Sequence, residues 1–248
     1  MRSLFFLLCC LWPGLLHAIE TTEGRCHGEV PCPLGDRSYH VLEPDGWDGS
    51  SPLPVLLHFH GWMRQGTVVV KHPRVAGATR RRGVLLLAPN GEGRTWNFWT
   101  SQTDDVAFAA AVIEDAAKRY PIDRARIFVS ALLAVSGTLR QSEHCQQAPQ
   151  EIRHVHGTSD TVMNFPFGPE GETTWPVKLW RDRLGCAEPG EGRGEWRVTE
   201  PLSFQRITWE DCAEGRVVLD VHSRGHFIPR GWIGRQLDEL LALPPSYP

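Results

Sequence analysis

Three short stretches of this sequence carry residues whose types could do acid–base chemistry: His60-Gly61-Trp62, His156-Gly157-Thr158-Ser159-Asp160 and His222-Ser223-Arg224-Gly225-His226-Phe227. Each ends an apolar run of strand length, and loops beyond the carboxyl ends of parallel strands are where open α/β sheets build their sites. An aspartate after one strand and a histidine after the next can fix an imidazole through Nδ1–H and leave Nε2 free to take a proton. Acid before histidine is the order of the second and third members of a serine–acid–histidine triad. The first member would be a serine on a G-x-S-x-G turn, and the place for it is after the run Ile127 to Ser130.

The elements that must position these loops can be read from periodicity. Val55 to His60 and Val84 to Ala88 are nearly continuous apolar runs stopped by Gly or Pro, the pattern of strands buried on both faces of a parallel sheet. Ser38 to Leu42 alternates and runs into the turn Pro44-Asp45-Gly46. Asp104 to Arg119 places Val106, Ala109, Ala110, Ile113 and Ala117 at helical spacing, with Pro121 as the stop. Arg126 to Ser130, Glu151 to His156 and Arg216 to His222 are three further strands, and a helix from about Trp232 to Leu243 closes the chain before Pro244-Pro245. Glu188 to Glu195, rich in Gly and Glu, reads as a surface loop. Alternating strands and helices define an α/β fold, a mostly parallel central sheet with helices on both faces, in one domain over residues 19–248.

Composition bounds the partners. The chain has 248 residues, and 26 Lys+Arg against 29 Asp+Glu give a net charge of -3, which argues against polynucleotide binding. Met1-Arg2, the apolar stretch Leu4 to Leu16 and the ending Leu16-His17-Ala18 read as a secretory signal peptide over residues 1–18. That stretch is shorter than the ~20 residues of a membrane span, and no later segment qualifies as one. The expectation is an exported protein, extracellular or periplasmic. Cys9 and Cys10 lack the preceding small residues of a lipoprotein site.

Removing the leader takes Cys9 and Cys10 and leaves Cys26, Cys32, Cys145, Cys186 and Cys212. Export makes these readable as disulfides, with one thiol over and the pairing open. No two of the five stand two to four residues apart, as a structural zinc site would need. His58 with His60, and His154 with His156, share strand faces at i, i+2 and could chelate a metal. A metal-dependent barrel, however, needs eight strand–helix units, and about six strands are visible. Structural hydrogen bonds are the expected role of these histidines.

The ordered set of Cys26 with Pro31-Cys32, Pro54 through Gly61, Ala88-Pro89-Asn90-Gly91, Trp96-Asn97, Asp104 through Phe108, Ile122-Asp123 through Val129, the stretch from His156 to Asp160, Gly185-Cys186, Cys212 and Gly225-His226 resembles the secreted polyhydroxybutyrate depolymerase and feruloyl esterase group of α/β-hydrolases. The resemblance implies Asp160 as triad acid, His226 as triad base, and a backbone N–H from the Gly61, Trp62 loop in the oxyanion hole. It implies a polyester or feruloylated polysaccharide substrate, with no cofactor and no metal. Trp62, Trp96 and Trp99 could lie flat on such a polymer, the alternative role being core packing.

One part of the pattern is absent. After Arg126 to Ser130 the family has its G-x-S-x-G elbow, a long helix and a further strand, whereas this chain reads Ala131-Leu132-Leu133-Ala134-Val135-Ser136-Gly137, with Leu133 in the place of the serine. Only residues 131 to 150 separate two strands, and one parallel crossover already takes a dozen or more. One strand–helix unit, about two dozen residues scaled from such a crossover plus a strand, is expected to be deleted. Ala134-Val135-Ser136-Gly137 reads as the end of the missing strand and the turn after it. Ser130 and Ser136 are the substitutes for the nucleophile, but neither has both flanking glycines. The expected function is a secreted carboxylic-ester hydrolase with impaired activity; the alternative is a non-catalytic polymer-binding or decayed paralogue.

The resemblance also implies a cysteine on the helix after the elbow, whose loss would leave Cys145 unpaired. Thiol titration of the unreduced, secreted protein is expected to give one reactive cysteine, mapped by mass spectrometry to Cys145. A disulfide from Cys145 to another mature cysteine would remove this support for the deletion.

Overall fold

The computed structural model describes residues 26–96, 104–129, 133–135, 149–163, 175–187, 193–199 and 202–244. The leader, Trp99, Ser130, Ser136 and Cys145 lie outside the described residues. In chain order the elements are β1 (Cys32–Leu34), β2 (Arg37–Leu42), β3 (Leu53–Leu57), α1 (Gly66–Lys71), α2 (Ala76–Arg80), β4 (Leu85–Pro89), a 3-10 turn at Glu92–Arg94, α3 (Asp105–Arg119), β5 (Ile122–Val129), β6 (Leu133–Val135), β7 (Glu151–Gly157), α4 (Trp175–Leu184), β8 (Arg193–Thr199), β9 (Leu202–Trp209), β10 (Arg216–His222) and α5 (Trp232–Leu240).

These strands form two five-stranded sheets, β1-β2-β4-β3-β5 and β6-β7-β10-β9-β8. The middle of each is parallel, through β3 with β4 and β5 and through β7 with β6 and β10; the flanks are antiparallel. The α/β class and the order of the principal strands match the sequence reading. Among the described residues no ladder joins β5 to β6. The hairpin of β8 and β9 corrects the loop reading at Glu188 to Glu195, since β8 begins at Arg193. Its mixed composition carries no clear alternation, and pairing with β9 makes it a strand.

Burial follows the pleat. In β3 and β4, Val55, Leu57, Leu85 and Leu87 face α3, which presents Phe108, Val112 and Ala116 at four-residue spacing. Leu56, Leu86 and Ala88 face the other way, onto α1, α2 and α5. Both faces being covered explains the unbroken apolar runs. The Asp104 side chain caps α3 by accepting from the Ala107 N–H at 2.7 Å. In the second sheet, Ile152, Val217 and Leu219 pack on α4.

Helix α5 lies on the face shared by both sheets, so one apolar cluster includes Leu56 and Leu86 of the first and Val155 and Phe204 of the second. Polar joins reinforce it. Arg82, between α2 and β4, donates from Nε to Asp238 Oδ1 at 2.6 Å and from Nη2 to Oδ2 at 3.0 Å, and both side chains are buried. Gly234 on α5 makes room for the guanidinium, because a Cβ there would come within 2.8 Å of Arg82 Nη2. Arg74 donates to the Ile228 carbonyl.

Two disulfides, Cys26–Cys32 and Cys186–Cys212, join the four cysteines among the described residues. Breaking one partner of a buried ion pair costs about 3–5 kcal/mol. Arg82→Met is therefore expected to lower the free energy of urea unfolding by about that much, and a change below about 1 kcal/mol, the range of exposed pairs, would show the join to be unimportant.

Candidate active site

The two strand-end loops that carry Asp160 and His226 are laced together by their backbones. Thr158 N–H donates to the His222 carbonyl at 2.8 Å and Ser159 N–H to that of Arg224 at 3.2 Å. Gly157 permits this approach, since a Cβ would stand 1.9 Å from the Arg224 oxygen. β7 and β10 are paired in parallel from Glu151 to Gly157 and from Arg216 to His222, so both loops leave the sheet at the same end.

The result is an oriented acid–histidine pair. His226 Nδ1–H donates to Asp160 Oδ2 at 2.9 Å. Asp160 Oδ1 accepts the N–H groups of Val162 at 2.8 Å and Met163 at 2.9 Å. The aspartate side chain is 0% exposed and that of His226 is 39% exposed, so the imidazole edge stays open to a substrate. Burial raises the Asp160 carboxyl pKa, but the Met163 N–H, His226 and the Val162 N–H together outweigh it and hold the pKa below the ordinary value. An ionised, buried aspartate fixing the Nδ1–H tautomer presents Nε2 as a base.

Three further histidines stand behind this pair. His156 Nε2–H donates to the Met163 carbonyl at 2.7 Å and lies 3.4 Å from Asp160 Oδ2, while His154 Nε2–H donates to His156 Nδ1 at 3.1 Å. The pair His154 and His156 thus forms the structural bonds expected of it. His222 Nδ1 accepts the Arg224 N–H at 3.1 Å, steadying the loop that carries His226. His222 could have been singled out from its place at the strand end, but its role depends on the loop folding back over it.

The loop after β3 is fixed in its own way. His60 Nδ1–H donates to the Gly61 carbonyl at 2.9 Å and Nε2 accepts the Gly91 N–H at 2.9 Å. Trp96 Nε1–H donates to the His60 carbonyl at 2.7 Å and its ring meets Phe59 edge-on, which makes it a buried structural tryptophan. Trp62, the next residue after Gly61, is 78% exposed. Among the described residues no group of three or more His, Cys, Asp or Glu is arranged to hold a metal. No described helix is long and apolar enough to cross a membrane.

No protein-family model matches the chain. Over 214 residues it is 24% identical to the bifunctional acetylxylan esterase/xylanase XynS20E of Neocallimastix patriciarum, which covers 77% of this chain and 31% of that protein. The chain thus spans about a third of the length of the relative it matches. Its fold matches that of an acetyl xylan esterase from Aspergillus awamori with a TM-score of 0.59 and 13% identity, covering 84% of this chain and 94% of the other. The native form of pOPH matches with a TM-score of 0.52 and 13% identity, over 85% and 84% of the two chains. The class defined by these comparisons is the α/β fold of esterases.

The buried histidines give the fold an acid limit. Burial pushes His154 down to about 3, and His222 to about 4. Burial, with His72 and His60 adding to it, pushes His58 to about 4. An unfolded chain protonates these groups near the ordinary value of about 6.5, so below that pH protons favour unfolding. Stability is expected to be fully present above about 6.5 and to be lost as pH falls toward 4, read as a falling Tm. His154→Gln should flatten this acid limb; a limb unchanged in that variant would remove His154 from the account.

Proposed function

We propose that this chain is built as a secreted carboxylic-ester hydrolase of the polyhydroxybutyrate depolymerase and feruloyl esterase type, acting on an ester-bearing polymer, in which the nucleophile elbow is deleted and hydrolysis impaired. The observation that carries the reading is the pairing of an oriented Asp160–His226 couple with a connection of three residues, 130–132, where the fold needs elbow, helix and crossover. The identity to an acetylxylan esterase/xylanase and the esterase folds of the structural neighbours support the ester class.

In the full reaction a serine attacks the acyl carbon, His226 takes its proton and later returns it to the leaving alkoxide, and Asp160 stabilises the imidazolium. Backbone N–H groups at the Gly61, Trp62 loop and after the nucleophile would hold the oxyanion. This chain keeps the acid, the base and the first of these donors. Ser130 and Ser136, the substitutes, lie outside the described residues.

A second reading, a non-catalytic polymer binder, is favoured by one observation. Trp62 is 78% and Val162 63% exposed, each beside one of the strand-end loops, which leaves apolar surface where a sugar or polyester chain would lie.

Losing a triad nucleophile leaves only ~10³–10⁴-fold over water, and losing one oxyanion donor costs roughly 10²–10³ in turnover. The secreted protein is therefore expected neither to turn over short p-nitrophenyl esters nor to take up a fluorophosphonate label, with His226→Ala leaving any weak hydrolysis unchanged. Stoichiometric labelling of Ser130 or Ser136, abolished by His226→Ala, would make it an active esterase with a rebuilt nucleophile.

A further inference from the structure

The Asp160 carboxylate has a neighbour besides His226 that acyl transfer does not itself use. His156 Nε2 lies 3.4 Å from Asp160 Oδ2 and 2.7 Å from the Met163 carbonyl oxygen, with the imidazole buried. Behind it, His154 Nε2 lies 3.1 Å from His156 Nδ1, and the two rings stack with centroids 5.4 Å apart and 11° between their planes. Both histidines stand on β7 two residues apart, so they share one face of the strand.

The direction of this chain of bonds is fixed by chemistry. A carbonyl oxygen and an ionised carboxylate only accept, so His156 Nε2 carries the proton. Its Nδ1 is then a lone pair, and the proton that fills it sits on His154 Nε2. That leaves His154 Nδ1 as a bare acceptor, and it is among the buried polar atoms without a hydrogen-bond partner. The reverse direction would set the His156 Nε2 lone pair against two oxygens and bury an unpaired N–H on His154, which is the costlier arrangement.

One N–H of His156 thus reaches two parts of the acid loop. By holding the Met163 carbonyl it fixes the turn whose N–H groups, at Val162 and Met163, meet Asp160 Oδ1 at 2.8 and 2.9 Å. On its other side it faces Oδ2, the oxygen that accepts His226 Nδ1–H at 2.9 Å. At 3.4 Å that approach is long for a hydrogen bond, so the Met163 carbonyl is the principal acceptor and the carboxylate feels the N–H as a dipole. We propose, on the reading of Asp160 and His226 as acid and base, that His156 is a positioning residue for the couple and that His154 acts through it. The two imidazoles form a strut from β7 to the loop of residues 160–163 and hold Asp160 in the rotamer that accepts from His226. The loop of the base has separate support, since His222 Nδ1 accepts the Arg224 N–H at 3.1 Å, so the strut acts on the acid alone.

NMR of the full chain with nitrogen-15-labelled histidine tests this without requiring catalysis. A low-field Nδ1–H resonance that vanishes in Asp160→Asn belongs to His226. It is expected to be lost to solvent exchange in His156→Leu, which removes the N–H at similar size, and to return in His156→Gln, whose amide keeps a donor. The Arg224 backbone amide, held by His222, should keep its shift in both variants. A resonance that persists unchanged in a folded His156→Leu, with only Tm lowered, overturns the strut and leaves the couple intact. An unaltered chain with no Asp160-dependent resonance overturns the acid–base reading and the strut with it. If His156→Leu does not fold, the unaltered chain and His154→Leu decide. In the first, both strut histidines should carry their proton on Nε2, and in the second the His226 Nδ1–H should exchange faster with solvent. A proton on Nδ1 of either histidine, or an unchanged exchange rate, overturns the strut.

Discussion

A parallel pair of strands can be made only when the chain between them is long enough to return to the starting end of the sheet. Between β5, which ends at Val129, and β6, which starts at Leu133, this chain has three residues. Among the described residues the strands fall into two sheets, and the halves are joined by side chains and by helix α5.

Most of that holding falls to α5. Its apolar face spans both sheets through Trp232, Ile233 and Leu237; Asp238 anchors it to Arg82 of the first half, and Gln236 and Glu239 to the second sheet. Asp220, fully buried on β10, accepts from Trp196 Nε1 and Trp232 Nε1 at 2.8 Å each and from Arg206 Nε and Nη2 at 2.9 and 2.8 Å. Arg206 and Arg153 also bond Glu239 on α5. A buried carboxylate is tolerated because every approach to it brings a donor, and the donors come from β8, β9 and α5, so ordering one element orders the rest. The second half is therefore well determined by itself, and the Asp160 and His226 loops ride on its paired core strands.

This accounts for how the strand-end loops are held. The lacing of Thr158 and Ser159 to the β10 loop needs nothing from the first half. The Gly61, Trp62 loop belongs to the first half and is fixed by Gly91 and Trp96 of the same half. Each of the two loop systems is thus fixed by partners from its own half of the chain.

The apolar runs in Val55 to His60 and Val84 to Ala88, the cap and periodicity of Asp104 to Arg119, and the turn-flanked histidines were legible because each is a local pattern within a dozen residues. Asp160 and His226 were identified from order and family likeness, and their bond of 2.9 Å arises only when two loops 66 residues apart pack on neighbouring strands. The hairpin of Arg193–Thr199 with Leu202–Trp209, the choice of Cys26–Cys32 and Cys186–Cys212 among the possible pairings, and the role of Asp220 were decided by tertiary structure alone. In each of these the stabilising partner is distant in sequence, so no local periodicity records it. The sequence by itself determined which segments could be strands; how the described strands pair, and what holds the two sheets together, was settled by packing.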